Sequence, residues 1–581
     1  MTVWSSPMNN RDYARVLQEI AQLMEISGEN RFKVRAFENA TRTVETLSED
    51  LDQIIDRGDL QGLKGIGASI ANDLRQIRER GTCDIHQMLL ERLDPGLLDM
   101  LKVQGLGPKR IKLVYNELGV SNLNALKEAA EAGRLRELKG LGAKTEEKVL
   151  AEIARLAQGA DRAPLPQARR VAESLRDQLD ALPQSIRVAI AGSLRRGRET
   201  IGDIDLLVAT DEPGPIHQAF VALPEVKETL ASGDTKTSVR LHNGIQVDLR
   251  TVKNEVFGSA LHYFTGSKEH HIELRTRAKR QGLRVSEYGV FKENEDTPIA
   301  SRTEEELYEA LGLSFIAPEL REGRGEISAA EKSDLPTLVE PEQIRGDVHM
   351  HTTETDGRHS IEEMADAAKA LGYDYIVITD HSQAVRVANG MTPERFGDHI
   401  ARIREADGRI QGIRILAGIE VDILKDGSLD MDHDLLAEAD WVVGSVHSHF
   451  NLDPDTMTER LLTGMRTGLL SCLGHPTGRI LGGRNGYRYD FDAVVEACVE
   501  LGVALELNGS SGRLDLNAEL AEKAHRKGAM LVLGSDAHST TGLKDLRFAV
   551  QQARRAWLGP DAILNTLTVD ELLKATRPAL R

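Results

Sequence analysis

The sequence predicts a multidomain protein in which an all-α region precedes two regions of mixed α/β structure. Its 581 residues exceed what one core usually organises, since domains hold about 150 residues each. From about residue 13 to residue 157, apolar positions recur every three or four residues, which indicates helices. Beyond the Gly- and Pro-containing segment 158–166, short apolar runs such as 186–191, 204–209 and 245–249 alternate with helical stretches. We therefore expect the architecture to change near residue 160.

Composition excludes several protein classes. With 40% hydrophobic, 28% charged and 4% aromatic residues, the chain is neither a membrane protein, nor a collagen, nor wholly disordered. No leader pattern and no long apolar run is present, so we expect a cytoplasmic protein. Cys83, Cys472 and Cys498 lack metal or disulfide spacing and are expected to be buried free thiols. The net charge of −18 means that any polyanionic partner must be met by local basic patches.

One short pattern occurs three times in the helical region. A Gly-apolar-Gly turn precedes a predicted helix each time, which is typical of a helix-hairpin-helix motif. One copy alone is more often an ordinary turn, but three copies with the same apolar insert favour phosphate binding through backbone N–H groups. Such contacts hold a DNA backbone without reading its sequence. The candidate glycines are Gly65, Gly67, Gly105, Gly107, Gly140 and Gly142.

The first α/β region carries a candidate nucleotidyl-transfer site. Gly192 and Ser193 form a turn at the start of a predicted helix, followed one turn later by Arg196, an arrangement that suits a triphosphate. Asp203 and Asp205 come next, on one face of a predicted strand because strand side chains alternate. Asp248 lies in another alternating run and could sit beside them. Three carboxylates suit a pair of magnesium ions. Solvated strand ends are the alternative for the Asp-x-Asp pair, which the Gly-Ser turn and Asp248 disfavour.

Local charge supports a duplex-binding face downstream. Residues 240–292 hold ten Lys and Arg against five Asp and Glu. Within this stretch, the run from Tyr263 to Ser267 offers aromatic bulk and a glycine where a base or sugar could pack.

These motifs, in this order after hairpin repeats, resemble a family X DNA polymerase over about residues 10–320. The resemblance implies an α/β nucleotidyltransferase palm with a thumb, in which Asp203, Asp205 and Asp248 bind two Mg²⁺ or Mn²⁺ ions. It further implies the following residues around the incoming deoxynucleoside triphosphate: Gly192, Ser193, Arg196, Gly202, Tyr263, Phe264, Gly266, Lys268, His271 and Arg275. Two positions depart from the family. His271 stands where repair members commonly have asparagine, and Asp73 stands where lyase-active members have a lysine, so we expect no lyase activity through that position.

The last third of the chain is rich in histidine, with eleven of the seventeen. Many of them stand at the ends of apolar strands that alternate with helices, the pattern of a parallel barrel or a doubly wound sheet. A barrel gathers strand ends on one rim, where mixed imidazole and carboxylate ligands suit zinc, manganese or iron and phosphoester hydrolysis. A lone histidine of this kind is more often a rim or core residue. The ligand candidates are His349, His351, Asp356, His381, Glu420, His447, His475, Asp536 and His538.

This nine-residue series resembles the polymerase and histidinol phosphatase (PHP) domain over about residues 343–575. The resemblance implies a distorted (β/α)7 barrel with up to three Mn²⁺ or Zn²⁺ ions and a 3′ to 5′ exonuclease, with abasic-site or 3′-phosphate activity in some members. Arg479 and Arg484 follow His475 and are candidates to hold a DNA phosphate, although a solvated loop is an equal alternative.

Together these features predict a monomeric repair enzyme that binds gapped or primer-template DNA and deoxynucleoside triphosphates, with no membrane partner. The alternatives are a barrel that hydrolyses small phosphomonoesters and a noncatalytic DNA-binding scaffold. The predicted divisions are an N-terminal helix-hairpin-helix domain (1–80), a fingers-like helical domain with two further hairpins (81–160), the palm (161–258), the thumb (259–318), a linker (319–342) and the PHP domain (343–581).

Overall fold

The computed structural model describes residues 10–45, 47, 51–94, 96–101, 103, 106–159 and 162–577. The chain forms two compact units, residues 1–161 and 162–581. In the described part of the chain, no helix has the length and apolar character needed to cross a membrane. The three cysteines are buried and unpaired, as predicted.

The first unit is helical throughout its described residues, which confirms the predicted all-α region. Two apolar clusters form its interior, one around Leu17 and Leu74 and the other around Ile111 and Leu126. The helices are α1 (Asn10–Ser27), α2 (Arg31–Glu45), α3 (Leu51–Arg57), α4 (Ala68–Arg80), α5 (Asp84–Arg92), α6 (Gly96–Leu101), α7 (Pro108–Leu118), α8 (Leu123–Glu131) and α9 (Ala143–Gly159).

The second unit begins with a five-stranded sheet that helices cover. Its strand order is β2-β4-β7-β6-β5, and only the β4–β7 pair is parallel. The sequence patterns predict β2, β4 and β7 but miss β5, whose residues are mostly exposed, and β6. The elements are β1 (Ala163–Pro164), α10 (Leu165–Asp180), β2 (Arg187–Ile190), α11 (Gly192–Arg195), β3 (Thr200–Ile201), β4 (Asp203–Ala209), α12 (Pro213–Val221), β5 (Val226–Ser232), β6 (Lys236–Leu241) and β7 (Gln246–Val252).

A smaller helical subregion with one hairpin follows the sheet. Ser267 caps its basic helix α14 by accepting a hydrogen bond from the N–H of His270, and the hairpin β8–β9 follows that helix. The elements are α13 (Phe257–Thr265), α14 (Lys268–Arg280), β8 (Leu283–Ser286), β9 (Gly289–Lys292) and α15 (Glu304–Ala310).

The segment 319–342 has the composition of a linker, yet much of it is packed. It contains α16 (Glu326–Lys332). The buried guanidinium of Arg321 donates to Glu304 Oε1 at 2.5 Å, and the buried carboxylate of Glu326 accepts from His270 Nδ1 at 2.8 Å. A high content of charged residues suggests a solvated segment. Here, however, Arg321 and Glu326 are paired in the interior.

Seven parallel strands in sequential order build the C-terminal region. A single bridge between Met350 and Ala537 brings the last strand next to the first, so the barrel is nearly closed. This arrangement confirms the (β/α)7 barrel and decides against a doubly wound sheet. The elements are β10 (Gly346–Asp347), α17 (Ile361–Ala370), β11 (Tyr375–Ile378), α18 (Pro393–Arg409), β12 (Arg414–Asp422), α19 (His433–Glu438), β13 (Trp441–Ser445), α20 (Pro454–Arg466), β14 (Cys472–Leu473), α21 (Phe491–Leu501), β15 (Ala504–Asn508), α22 (Ala518–Arg526), β16 (Leu531–Gly534), α23 (Leu546–Arg555) and α24 (Val569–Ala575).

Candidate active sites

The predicted carboxylate triad lies on the only parallel pair of the five-stranded sheet. Asp205 of β4 and Asp248 of β7 are register partners. Asp203 lies two residues before Asp205 on the same face, and the buried residue Ile204 points to the opposite face. The predicted adjacency of the three carboxylates is therefore confirmed by the strand register.

Electrostatics at this face favour a cation. Burial, together with the neighbouring charges of Asp203 and Asp248, raises the pKa of Asp205 to about 7. The ammonium of Lys236 lies 2.6 Å from Asp248 Oδ2. Burial opposes ionisation of Asp248, but hydrogen bonds from Lys236, Ser238 and Gln246 hold the pKa of its carboxyl below the ordinary value. Hard oxygen donors that repel one another in this way fit a divalent cation.

The Gly-Ser turn lies directly against the triad. Gly192 begins α11 with a φ of +63°, and a Cβ at this position would lie 2.1 Å from Asp205 Oδ2. Only glycine therefore allows the turn to approach the carboxylate so closely. Arg196, predicted to face a triphosphate, donates from Nε to Glu322 Oε1 at 3.1 Å and from Nη1 to the Thr265 carbonyl. The guanidinium is thus held by two partners on one side of the turn. Gly202, half-buried, immediately precedes Asp203.

The aromatic residues predicted to contact the nucleotide are supported by cations. The guanidinium of Arg250 lies 4.3 Å from the ring centre of Phe264, and that of Arg275 lies 5.4 Å from the ring centre of Tyr263. Gly266 ends α13, where a Cβ would lie 2.9 Å from Arg196 Nη1. Lys268 is exposed at the start of α14.

His271 lies behind this group of residues. Its side chain is buried, and Nε2 is 3.0 Å from the Tyr263 carbonyl oxygen. Burial lowers the pKa of His271 to about 4, so the neutral ring donates this hydrogen bond at neutral pH. The contact ties His271 to Tyr263, which the sequence does not indicate.

Eight of the nine predicted barrel ligands fall into three groups. Within each group, the ligand atoms all lie within 4.8 Å of one another. His351 and His381 each belong to two groups. The groups are His351, Asp356, His381 and His538; His349, His351 and Asp536; and His381, Glu420 and His447. The ninth residue, His475, joins them through Nε2, which is 2.8 Å from Glu420 Oε1. Among the described residues, the carboxylate triad of the sheet is not gathered as tightly as these groups.

The donor set of the barrel fits metal ions. Within the described part of the chain, buried ring nitrogens of three histidines have no hydrogen-bond partner, namely Nε2 of His349, both nitrogens of His351 and Nδ1 of His381. His351 Nε2 is nevertheless 3.3 Å from Asp536 Oδ1, and His381 Nδ1 is 2.9 Å from Glu420 Oε2. These nitrogen and oxygen atoms point toward common centres but lack the geometry of hydrogen bonds. Such an arrangement fits bound metal ions.

Two further residues complete this site and are absent from the sequence prediction. Glu506, on β15, accepts from His349 Nδ1 at 2.6 Å and from the His475 N–H at 2.6 Å. Arg513 places Nε 3.3 Å from Asp536 Oδ2, and its buried Nη1 has no hydrogen-bond partner. A lone Glu inside an apolar strand is the signal that could have identified Glu506. No local pattern marks Arg513.

Arg479 and Arg484, the candidates to hold a DNA phosphate, both have hydrogen-bond partners within the protein. Arg479 donates to the carboxylate of Glu199 and to the Arg513 carbonyl. Arg484 donates twice to the Gly478 carbonyl, with its guanidinium 3.6 Å from the ring centre of Phe450. Both side chains are partly buried and bind the backbone of loops. They are therefore not solvated, as the alternative interpretation would require.

Four of the six hairpin glycines of the first unit face open space. Gly65 and Gly140 have φ of +85° and +88°, and Gly67 and Gly107 directly precede α4 and α7. Among the residues that the structure describes, a Cβ at Gly67, Gly107, Gly140 or Gly142 would meet no atom within 4 Å beyond its chain neighbours. The apolar inserts Ile66, Leu106 and Leu141 are buried, which anchors each turn. Gly105 lies outside the described residues.

Family models match most of the chain. They are a helix-hairpin-helix domain (8–83), a SAM-like helix-hairpin-helix tandem (97–155), the DNA polymerase beta palm (162–238), the DNA polymerase beta thumb (260–322) and a PHP domain (347–510). The DNA polymerase/3′-5′ exonuclease PolX of Bacillus subtilis is 40% identical over 97% of this chain and 99% of its own length. The chain belongs to the PolX family.

Two further matches of this PolX family member cover only part of its chain. A probable phosphatase of Shewanella oneidensis is 32% identical over 33% of this chain and 75% of its own length. A structure of Leishmania infantum polymerase beta in a ternary P/T complex aligns with a TM-score of 0.27 and 21% identity, over 39% of this chain and 99% of that chain.

Proposed function

We propose that this PolX family member fills short gaps in DNA at the sheet and removes nucleotides from 3′ ends in the barrel. The observation that carries the proposal is the presence of two separate sets of metal-ligand side chains. One set is the triad around the register pair Asp205 and Asp248, and the other is the histidine cluster of the barrel. The predicted divisions into palm (161–258), thumb (259–318) and PHP domain (343–581) form part of this proposal.

In the palm, Asp203, Asp205 and Asp248 would hold two Mg²⁺ or Mn²⁺ ions. Such ions activate the primer 3′ hydroxyl and stabilise the departing pyrophosphate. Gly192 and Ser193 lie against this pair of strands and would receive the triphosphate there. Arg196 would add a charged donor from the same turn, and Gly202, which directly precedes Asp203, would also face the triphosphate.

The thumb residues would shape the sugar and base side of the nucleotide. Tyr263, Phe264 and Gly266 would pack against the deoxyribose, with the two aromatic rings arranged edge to face. Arg275 and the exposed Lys268 lie on the same basic helix and would face the DNA. His271 serves this group by holding the backbone of Tyr263 in place.

In the PHP domain, the nine ligands would hold up to three Mn²⁺ or Zn²⁺ ions. Such ions supply a bridging hydroxide and stabilise charge on the attacked phosphate. Glu506 fixes the ring of His349 so that Nε2 points into the cluster. Arg513, which has an unpaired buried nitrogen beside Asp536, would donate to a phosphate oxygen of the DNA end.

The helical unit would hold gapped or primer-template DNA as a monomer. Exposed turns at Gly67, Gly107 and Gly142 offer N–H groups to the DNA backbone without requiring a basic domain. Asp73, mostly buried on α4, cannot form a Schiff base, so no deoxyribose-phosphate lyase activity arises there.

A single-nucleotide gap tests both activities on one substrate. We expect nucleotide addition with Mg²⁺ or Mn²⁺ when deoxynucleoside triphosphates are present, and shortening of the 3′ strand with Mn²⁺ when they are absent. A chain that binds this DNA without either reaction would be the noncatalytic scaffold. Faster hydrolysis of a free phosphomonoester than of the oligonucleotide would identify the barrel as a small-molecule phosphatase.

A further inference from the structure

Helix α23 of the barrel contacts the turn that follows α11 in the palm. Three of its side chains donate to three successive backbone carbonyls. Gln551 Nε2 is 3.4 Å from the Arg195 oxygen, Arg555 Nη1 is 2.5 Å from the Arg196 oxygen, and Gln552 Nε2 is 2.9 Å from the Gly197 oxygen. Residues more than 350 positions apart thus satisfy the carbonyls of the last residue of α11 and of the two turn residues that follow it.

These carbonyls matter because α11 is only four residues long. The last carbonyls of any helix lack partners within the helix, and so short a helix has little stability of its own. The position of Gly192 and Ser193 at its start therefore depends on what holds its end. The cationic side chain of Arg555 also complements the partial negative charge at a helix C-terminus.

Arg555 holds the side chain of Arg196 as well as its backbone. Glu322 Oε1 accepts from Arg555 Nη1 at 2.9 Å and from Arg196 Nε at 3.1 Å. Burial opposes the charge of Glu322, but Arg196 and Arg555 outweigh it and lower the pKa of its carboxyl. Arg555 is itself buried, so solvent does not screen these contacts.

The contact is also close-packed. Gly197 has a φ of +70°, and a Cβ at this position would lie 2.6 Å from Gln551 Cγ. Gln552 is buried, with 1% of its surface exposed. The contact between helix α23 and the palm turn therefore leaves no room for an added methyl group. Movement of the helix would require the turn to move with it.

We propose that α23 of the nuclease barrel positions the triphosphate-binding turn of the polymerase, with Gln552 and Arg555 as positioning residues for the incoming nucleotide. The inference rests on the proposed role of Gly192, Ser193 and Arg196. The two centres would then use separate chemistry, while nucleotide affinity at one depends on side chains that belong to the other domain.

The test compares full-length variants in single-nucleotide gap filling. Arg555→Met and Gln552→Met remove donors to the turn, and Arg555→Lys keeps a charge near Glu322. Arg547→Met is the matched control, since Arg547 lies on the same helix but pairs with Glu173 of α10 instead of with the carbonyls of the turn. For each variant, the KM for the nucleotide, kcat, Mn²⁺-dependent 3′ trimming and the unfolding temperature are measured.

We expect Arg555→Met to raise the KM for the nucleotide about tenfold, the loss of a charged hydrogen bond, with kcat changed less than about twofold. Gln552→Met should raise the KM less, Arg555→Lys should restore most of the affinity, and Arg547→Met should leave it unchanged. The 3′ trimming should persist in all four variants. If Arg555→Met does not fold, Gln552→Met and Arg555→Lys carry the same comparison.

An unchanged KM in Arg555→Met or Gln552→Met would overturn the inference. So would a parallel fall in kcat, 3′ trimming and unfolding temperature, which would show that α23 serves stability alone. Failure of the proposed function looks different, because the unmodified chain itself would then add no nucleotide.

Discussion

Asp205 and Asp248 are register partners on the parallel strands β4 and β7, which brings two carboxylates from positions 43 residues apart to one point of the sheet. No side chain of the barrel belongs to this pair. The barrel ligands form their own groups at the ends of other strands. The two sets can therefore be removed separately.

Loss of a palm carboxylate should abolish nucleotide addition and spare the nuclease. Asp248→Ala removes one ligand of the two proposed metal ions. We therefore expect kcat for gap filling to fall about a thousandfold. Asp536→Ala should give the reverse result. Both variants are assayed on one gapped DNA, with folding checked by thermal unfolding. If Asp248→Ala removed 3′ trimming while Asp536→Ala spared it, both activities would belong to the palm.

Glu506 should control metal binding although it lies behind the ligands. Gln in its place cannot accept hydrogen bonds at both positions, so either His349 or the His475 N–H loses its partner. We expect Mn²⁺ affinity, measured by chelator competition and metal analysis, to fall about 10- to 100-fold in Glu506→Gln. Glu496→Gln, which alters a surface pair with Lys527, is the control. Equal metal content in the two variants would contradict this role.

The hairpin turns should bind DNA through glycines that have no internal contact. A combined Gly67→Val, Gly107→Val and Gly142→Val variant adds side chains that meet nothing within 4 Å at their Cβ positions. We expect normal unfolding but weaker duplex binding, with a smaller slope of log affinity against log salt. The measurement is fluorescence anisotropy on random-sequence duplexes over a salt series. Wild-type affinity in this variant would exclude the turns from the DNA interface.

His262 should make the folded state sensitive to mild acid. Burial, aided by Arg321, His271, His270 and Arg195, holds the pKa of His262 well below 6.5. The folded ring stays neutral while the unfolded ring takes up a proton, so its contribution to stability is present above pH 6.5 and is lost as pH falls below it. The contribution changes by at most about 1.4 kcal/mol per pH unit.

The comparison uses thermal unfolding between pH 7.5 and pH 5. Wild type should lose more stability over this interval than His262→Gln, which cannot take up a proton. Histidines that do not act on His262, such as His217, titrate in both proteins and cancel in the difference. Parallel curves would show that His262 does not supply the sensitivity.

Residue pattern and spacing predicted much of the architecture. The helical period of the first unit, the strands that carry Asp203 and Asp248, and the barrel strands at Tyr375–Ile378 and Trp441–Ser445 all appear in the structure. The sequence pattern did not predict strand β5, because this exposed strand lacks an apolar face. The composition of segment 319–342 did not reveal that Arg321 and Glu326 are paired in the interior, because charged residues have the same composition whether they are paired inside a protein or solvated outside it.

By itself, the sequence determined most of the candidate site residues, since ligand types, glycine turns and strand ends follow local patterns with periods of two or about 3.6 residues. Tertiary structure alone decided what those residues touch. Three contacts join positions that are between 23 and 359 residues apart. They are Glu506 with His349, Arg513 with Asp536, and Arg555 with the carbonyl of Arg196. No local period encodes such pairs, because packing of whole strands and helices selects them.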